Sequence, residues 1–339
     1  MEKEITRRKF LQIGGSMALG IAFVGVMGRG IWKMLTDPAE LFYDAKDAKR
    51  TKDTIERIKF VSPYRRTFGF VAPDEILALE LMDNKIVVAT PNNIYRYGLD
   101  GRLEENFSVR SDLRDMAVHD RRLYLLFPSC IEVYDTDGIL QQEWKACSDD
   151  ADYCSMTVCN NGVFVTDASA KNICKYHLDG TLARFINSPK GFIVPSYSFG
   201  ITNLNGHIFC SNPGRHMVEE YTTDGEYINS FGKSGAGAGE FSGCCNPVQI
   251  TTTAAGELLT SEKGIPRISC YAPDGTFRSI LLDDKALGGG HNAYDVRVLD
   301  DKLIVTGGKK ISVFQYDDRR SAQTLCGACT INCPIKKIS

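Results

Sequence analysis

An Asp-Gly pair recurs five times along this chain, at Asp100-Gly101, Asp137-Gly138, Asp179-Gly180, Asp224-Gly225 and Asp274-Gly275, at spacings of 37 to 50 residues. Each pair closes a short segment bearing tyrosine or histidine: IYRYGLDG, IEVYDTDG, CKYHLDG, EEYTTDG and SCYAPDG. Asp-Gly supplies the positive φ angles that tight hairpin turns demand, so each pair marks a turn between two strands. Upstream of each turn lie two more short β-rich runs, as in MTVCNNGVFVTD (156–167) and VQITTTAAGELLTS (248–261). The unit is thus three strands, an Asp-Gly turn and a fourth strand. Helical periodicity is absent, and this period suits four-stranded units better than helical repeats.

Six such units are expected, with first strands starting near Ile76, Asp115, Ser155, Phe199, Val248 and Asp295. The sixth, DVRVLDDKLIVTGGKKISVFQYD, stops after its third strand. An early segment, ERIKFVSP or RTFGFV, is expected to supply the missing strand and close the ring, which hides the sheet edges. The fold class is therefore all-β, a six-bladed β-propeller of four-stranded blades. The stretch SFGKSGAGAGEFSGCCNPVQIT, with its Phe-Gly, glycine-rich loop, aromatic and Pro, resembles the repeat junction of NHL-type propellers. VTDASAKNICKY (165–176) is similar to the second hairpin of those repeats, and the resemblance spans roughly residues 55 to 317. It implies a ring, and a ring by itself says little about function.

Charged residues make up 24% of the 339, and the net charge of -2 comes without a basic stripe, which argues against a nucleic-acid binder. The main cluster of basic residues instead opens the chain. TRRKFLQIGG (6–15) places Arg7, Arg8 and Lys9 before Phe10-Leu11 and an uncharged run from Leu11 to Gly28. This resembles a twin-arginine (Tat) export signal, which implies passage of an already folded protein to the periplasm. No good A-x-A cleavage site follows, and the run is near the lower length limit for a membrane span. Retention as an inner-membrane anchor is favoured slightly over cleavage, with the basic residues held inside. Residues 1–34 then form signal or anchor, 35–54 a charged linker (with DAKDAKRTKD), 55–317 the propeller and 318–339 a cysteine-rich tail.

Twelve cysteines focus the search for chemistry. The tail, TLCGACTINCPIKKIS, spaces Cys326, Cys329 and Cys333 as C-x2-C-x3-C-P. This resembles the last three cysteines of the bacterial ferredoxin run, but Gln323 stands where the first would be. Three readings stay open: an Fe-S cluster completed by a ligand from elsewhere, a disulfide plus one free thiol, or a site for zinc or another metal. Cys147 and Cys154 flank the entry to the third blade, and Cys244 and Cys245 form a vicinal pair entering the fifth. Loops entering inner strands gather on one face, so these four are a candidate redox or metal site. The plainer alternative is a local Cys147–Cys154 disulfide. Cys130, Cys159, Cys174, Cys210 and Cys270 fall in or beside strands and read mostly as small buried hydrophobes.

Enzyme signatures are sparse. His291, Asp295, Asp115 and Asn246 lie near inner-strand starts, where six-bladed lactonases and lyases hold calcium or zinc; turn-capping is the competing role. No C-x-x-C-H haem motif occurs, and GGGHNAY does not follow a strand and open a helix as a nucleotide loop would. The leading expectation is an exported, membrane-associated accessory, docking or electron-transfer subunit with protein partners such as membrane redox proteins. The alternatives are a metal-dependent lactonase, hydrolase or lyase with an ion in the channel, and a disulfide-stapled protein- or glycan-binding scaffold. Topology adds that the tail leaves the ring on the face opposite the Cys147 and Cys244 loops.

Overall fold

The computed structural model describes residues 62–290 and 292–317. These residues form six four-stranded antiparallel sheets arranged as the blades of a closed ring. The inner strands are Ala78–Met82, Asp115–His119, Tyr153–Cys159, Ile201–Leu204, Gln249–Thr252 and Asp295–Leu299. Each packs beside the next, and the last beside the first. All six begin within two residues of the positions expected from the repeat.

Closure uses the early segment. Tyr64–Val71, which contains RTFGFV, pairs antiparallel with Lys310–Tyr316 as the outermost strand of blade 6. The first and last described strands therefore share one sheet, so opening the ring would break a full ladder of main-chain hydrogen bonds.

The Asp-Gly turns are tighter in specification than a simple two-residue hairpin. In the first, Gly101 N–H donates to Gly98 O at 2.9 Å, and Asp100 Oδ1 accepts Arg102 N–H at 3.0 Å. Only the glycine takes a positive φ (79°), and the register slips between Arg96 and Tyr97. This is a type I turn followed by a glycine bulge. The same slip falls at Tyr134, Tyr176, Tyr221 and Tyr271. A second constraint acts on these glycines: a Cβ on Gly180 would stand 2.5 Å from Trp144 of the preceding blade. The turn glycine is thus also a contact between blades.

Burial follows the same logic. The core divides into six apolar clusters, one at each seam between neighbouring blades. In the seam between blades 2 and 3, Tyr124, Trp144 and Tyr176 are buried together with Val163, Val165 and Cys174. Inner and middle strands are buried on both sides, while outermost strands such as Leu103–Ser108 stay largely exposed. Among the described residues no helix is long and apolar enough to cross a membrane. The signal or anchor, the linker, the tail with Cys326, Cys329 and Cys333, and His291 lie outside the described residues.

Candidate functional site: the channel and the entry face

Strand alternation sorts the loops. Inner strands start, and second strands end, on one face, called here the entry face; the turn after each inner strand lies on the opposite face. Two regions gather polar chemistry: the central channel and the entry face.

The channel contains a cavity of about 220 Å³ lined by Glu80, Thr157, Thr202, Asn203, Thr251 and Arg297 among others. Its charged groups centre on Arg297, which is paired with two carboxylates. That guanidinium donates to Glu80 Oε1 at 3.0 Å and to Asp295 Oδ1 at 2.6 Å. Burial pushes the Glu80 carboxyl above its ordinary range, and Arg297 pulls in the other direction. Asp295 Oδ2 reaches across the seam to accept Leu79 N–H at 3.0 Å, joining blade 6 to blade 1.

Asp115 makes the equivalent joint between blades 2 and 3. Its Oδ2 accepts Ser155 Oγ–H at 2.6 Å and Met156 N–H at 2.9 Å, while Oδ1 accepts Met116 N–H at 2.8 Å. Burial still pushes this carboxyl up to about 7. Asn246, the third expected ligand, is also committed: its amide donates to Ser242 O and Lys263 O, and its Oδ1 accepts Lys263 N–H at 2.9 Å. The structure therefore uses Asp115, Asp295 and Asn246 to fasten strands and loops. A cation entering the channel would face the Arg297 guanidinium.

The entry face carries Cys147, Cys154, Cys244 and Cys245, and the described cysteines are all free. Cys147 and Cys154 both sit at the entry to blade 3, but the sulfur partner of Cys147 is Cys174, at 3.4 Å. Cys154 instead points its thiol to Asp152 O at 3.6 Å, and burial raises it to about 12. The local Cys147–Cys154 pairing is thus replaced by a contact between a loop and the third strand of blade 3. Tyr153 holds that loop in place: its hydroxyl accepts Cys147 N–H at 2.9 Å and meets the Tyr176 hydroxyl in a short contact.

The vicinal pair forms a second, separate centre. Cys244 and Cys245 place their sulfurs 2.9 Å apart in the loop entering blade 5. Cys245 lies 3.6 Å from Ser196 Oγ. The Cys244 thiol, the Ser196 hydroxyl and the Lys263 ammonium all favour a thiolate at Cys245, lowering it to about 6 against the effect of burial. Ser196 and the exposed Tyr197 both adopt left-handed backbone conformations (φ 54° and 55°), which is costly for side-chain-bearing residues. Arg114 lies over the Tyr197 ring at 5.7 Å and reaches Asp152 at 3.5 Å, so polar contacts run between the two thiol centres without merging them.

Cys130, Cys210 and Cys270 are buried, as their strand positions suggest, and Cys159 is half-buried. Sequence reasoning missed Cys174 as a site residue, along with Asp167 and Asn172. The available signal was register: Asp167 ends one strand, Asn172 opens the next opposite it, and Cys174 lies two residues on along the same face.

The topological expectation for the tail is met up to the last described strand. Tyr316 N–H donates to Asp301 O, in the turn after the last inner strand, so that strand ends on the face opposite the thiols. Asp317 N–H then donates to Pro63 O at 2.8 Å, placing both ends of the described ring side by side.

No family model matches the sequence, and no curated protein matches it. Solved structures do match the fold. Virginiamycin B lyase from Staphylococcus aureus superposes with a TM-score of 0.52 at 14% identity, covering 74% of this chain and 99% of that one. A catalytically inactive form of that lyase, with quinupristin, gives 0.53 at 14% identity and the same coverage. A streptogramin B lyase gives 0.52 at 16% identity, covering 75% and 98%. These likenesses show a six-bladed, four-stranded propeller; at such identities they carry the fold alone.

Proposed function

We propose that this chain is an exported accessory subunit of a membrane redox system. Its ring is a rigid docking body, and its tail cysteines contribute ligands to an Fe-S cluster. The observation that carries the reading is the apposition of Pro63 and Asp317 on the face opposite the thiol loops. The segment read as anchor and linker precedes the ring at that point, and the cysteine tail follows it there. Because both segments join the ring at one point, the chain suits a subunit that meets a membrane partner through them. The channel adds support, because its carboxylates are already neutralised by Arg297 or committed to blade joints. The NHL-type repeat character, the Tat signal and the periplasmic location are part of the same proposal.

The lyase or hydrolase reading has the fold in its favour, since the solved lyases share the ring. It would be supported by calcium- or zinc-dependent turnover that is lost on replacing Asp295 or Asn246.

Export is tested by replacing Arg7 and Arg8 together with lysine in the full chain and following its location. The proposal expects the parent chain in the membrane fraction, exposed to external protease, and the twin-lysine variant retained in the cytoplasm. Equal export of both would overturn it.

A further inference from the structure

The geometry points to a mononuclear site for a zinc-class divalent cation at the seam between blades 2 and 3, held by Cys147, Asp167, Asn172 and Cys174. This assignment does not depend on the redox-subunit proposal. One ligand atom each from Cys147, Asp167 and Cys174 lies within 4.8 Å of the others. The Cys147 and Cys174 sulfurs are 3.4 Å apart, and Cys174 Sγ is 3.6 Å from Asn172 Oδ1. Two thiolates bound tetrahedrally at about 2.3 Å stand about 3.8 Å from each other, so an ion needs only a small adjustment of the sulfurs.

The deciding observation is the carboxylate of Asp167, which is fully buried. Its Oδ1 accepts three main-chain N–H groups, from Asp152 (3.1 Å), Ser169 (2.8 Å) and Ala170 (3.2 Å). Its Oδ2 has no hydrogen-bond partner among the described residues. A buried carboxylate oxygen without a donor is costly. Joining the two cysteines as a disulfide would leave that oxygen as it is, since a disulfide has neither charge nor proton to offer. A cation satisfies the carboxylate and both sulfurs together.

Ligand chemistry selects the ion. Calcium and magnesium take oxygen ligands and avoid thiolates, whereas two thiolates with a carboxylate and an amide oxygen suit zinc. Binding forms two metal–sulfur bonds and releases the two thiol protons to solvent, so affinity rises with pH. The site is also pre-shaped. Tyr153 fixes the Cys147 loop, the backbone fixes Asp167, and the half-buried Cys147 gives a path from solvent.

The test uses the full chain with Cys326, Cys329 and Cys333 replaced by serine, so that the tail contributes no thiolate. The metal-free, reduced protein is titrated with Co²⁺ and then Zn²⁺. We expect one Co²⁺ per chain with thiolate charge-transfer and tetrahedral d–d absorption, displaced by one Zn²⁺. C174S should abolish the spectrum. D167N retains an oxygen for the three N–H groups but loses the anionic ligand; it should raise the Kd by more than about 100-fold, beyond the effect of an outer-shell partner. C244S with C245S should leave stoichiometry unchanged. If C174S does not fold, D167N carries the test, with circular dichroism confirming its fold. A cobalt spectrum unaltered by D167N would overturn the assignment. So would a Cys147–Cys174 disulfide found by thiol trapping in protein isolated without metal.

Discussion

Replacing Arg297 with methionine removes the only cation placed against Glu80 and Asp295 in the described channel, while keeping most of the side-chain volume. The three side chains are 19%, 19% and 12% exposed, so water screens them only partly. At an effective dielectric near 20, each ion pair at these separations is worth about 6 kcal/mol before desolvation. Stranding two carboxylates in this way costs about 3–5 kcal/mol net. For a ring of this size that corresponds to a fall in Tm of about 6–20 °C. Thermal unfolding of the full chain, followed by far-ultraviolet circular dichroism, reads it directly. The loss should depend on pH in a fixed direction. Without Arg297 the Glu80 carboxyl, already pushed up by burial, rises further, so the folded variant takes up a proton and its deficit shrinks from pH 8 to pH 5. Replacing Glu80 with methionine as well should recover part of the deficit at pH 8. A variant within about 1 kcal/mol of the parent at pH 8, or a deficit equal at both pH values, would refute the view that Arg297 neutralises the channel.

Two further outcomes are expected. Asp115 is held at about 7 by burial, above its unfolded value, so its contribution is fully present below about pH 4 and is lost as the pH rises through 7. The parent should therefore lose up to about 4 kcal/mol relative to D115N across that window, read from urea midpoints at pH 4 and pH 8; parallel profiles would contradict this. Cys245, lowered to about 6 chiefly by the Cys244 thiol and also by Ser196 and Lys263, should be alkylated by iodoacetamide with a midpoint well below that of an ordinary thiol. C244A and K263M should each move the midpoint upward, and a parent midpoint near 8.5 would count against the arrangement.

The ring is legible from the sequence because its turns impose two requirements at once. Gly101 and Gly180 each need a positive φ and must leave room for an aromatic ring of the preceding blade, so Asp-Gly recurs visibly. The closing strand is legible because the last unit lacks a partner that RTFGFV can supply. Functional positions are harder to read. Asp115 and Asp295 stand where channel ligands are expected, but sequence does not reveal that each carboxylate reaches a main-chain N–H in the neighbouring blade. Cys174 resembles any small buried strand residue until Cys147, 27 positions earlier, is folded against it. Arg297 lies within an ordinary strand pattern, and only ring closure brings Glu80, 217 positions away, to its guanidinium.

The proposed redox role is tested most directly by measuring iron and acid-labile sulfide in the full chain, purified from membranes without oxygen, beside variants with Cys326, Cys329 or Cys333 replaced by serine. Stoichiometric iron and sulfide in the parent, lost in each variant, is the predicted result. Absence of both from the parent, with the tail thiols oxidised in pairs, would contradict it.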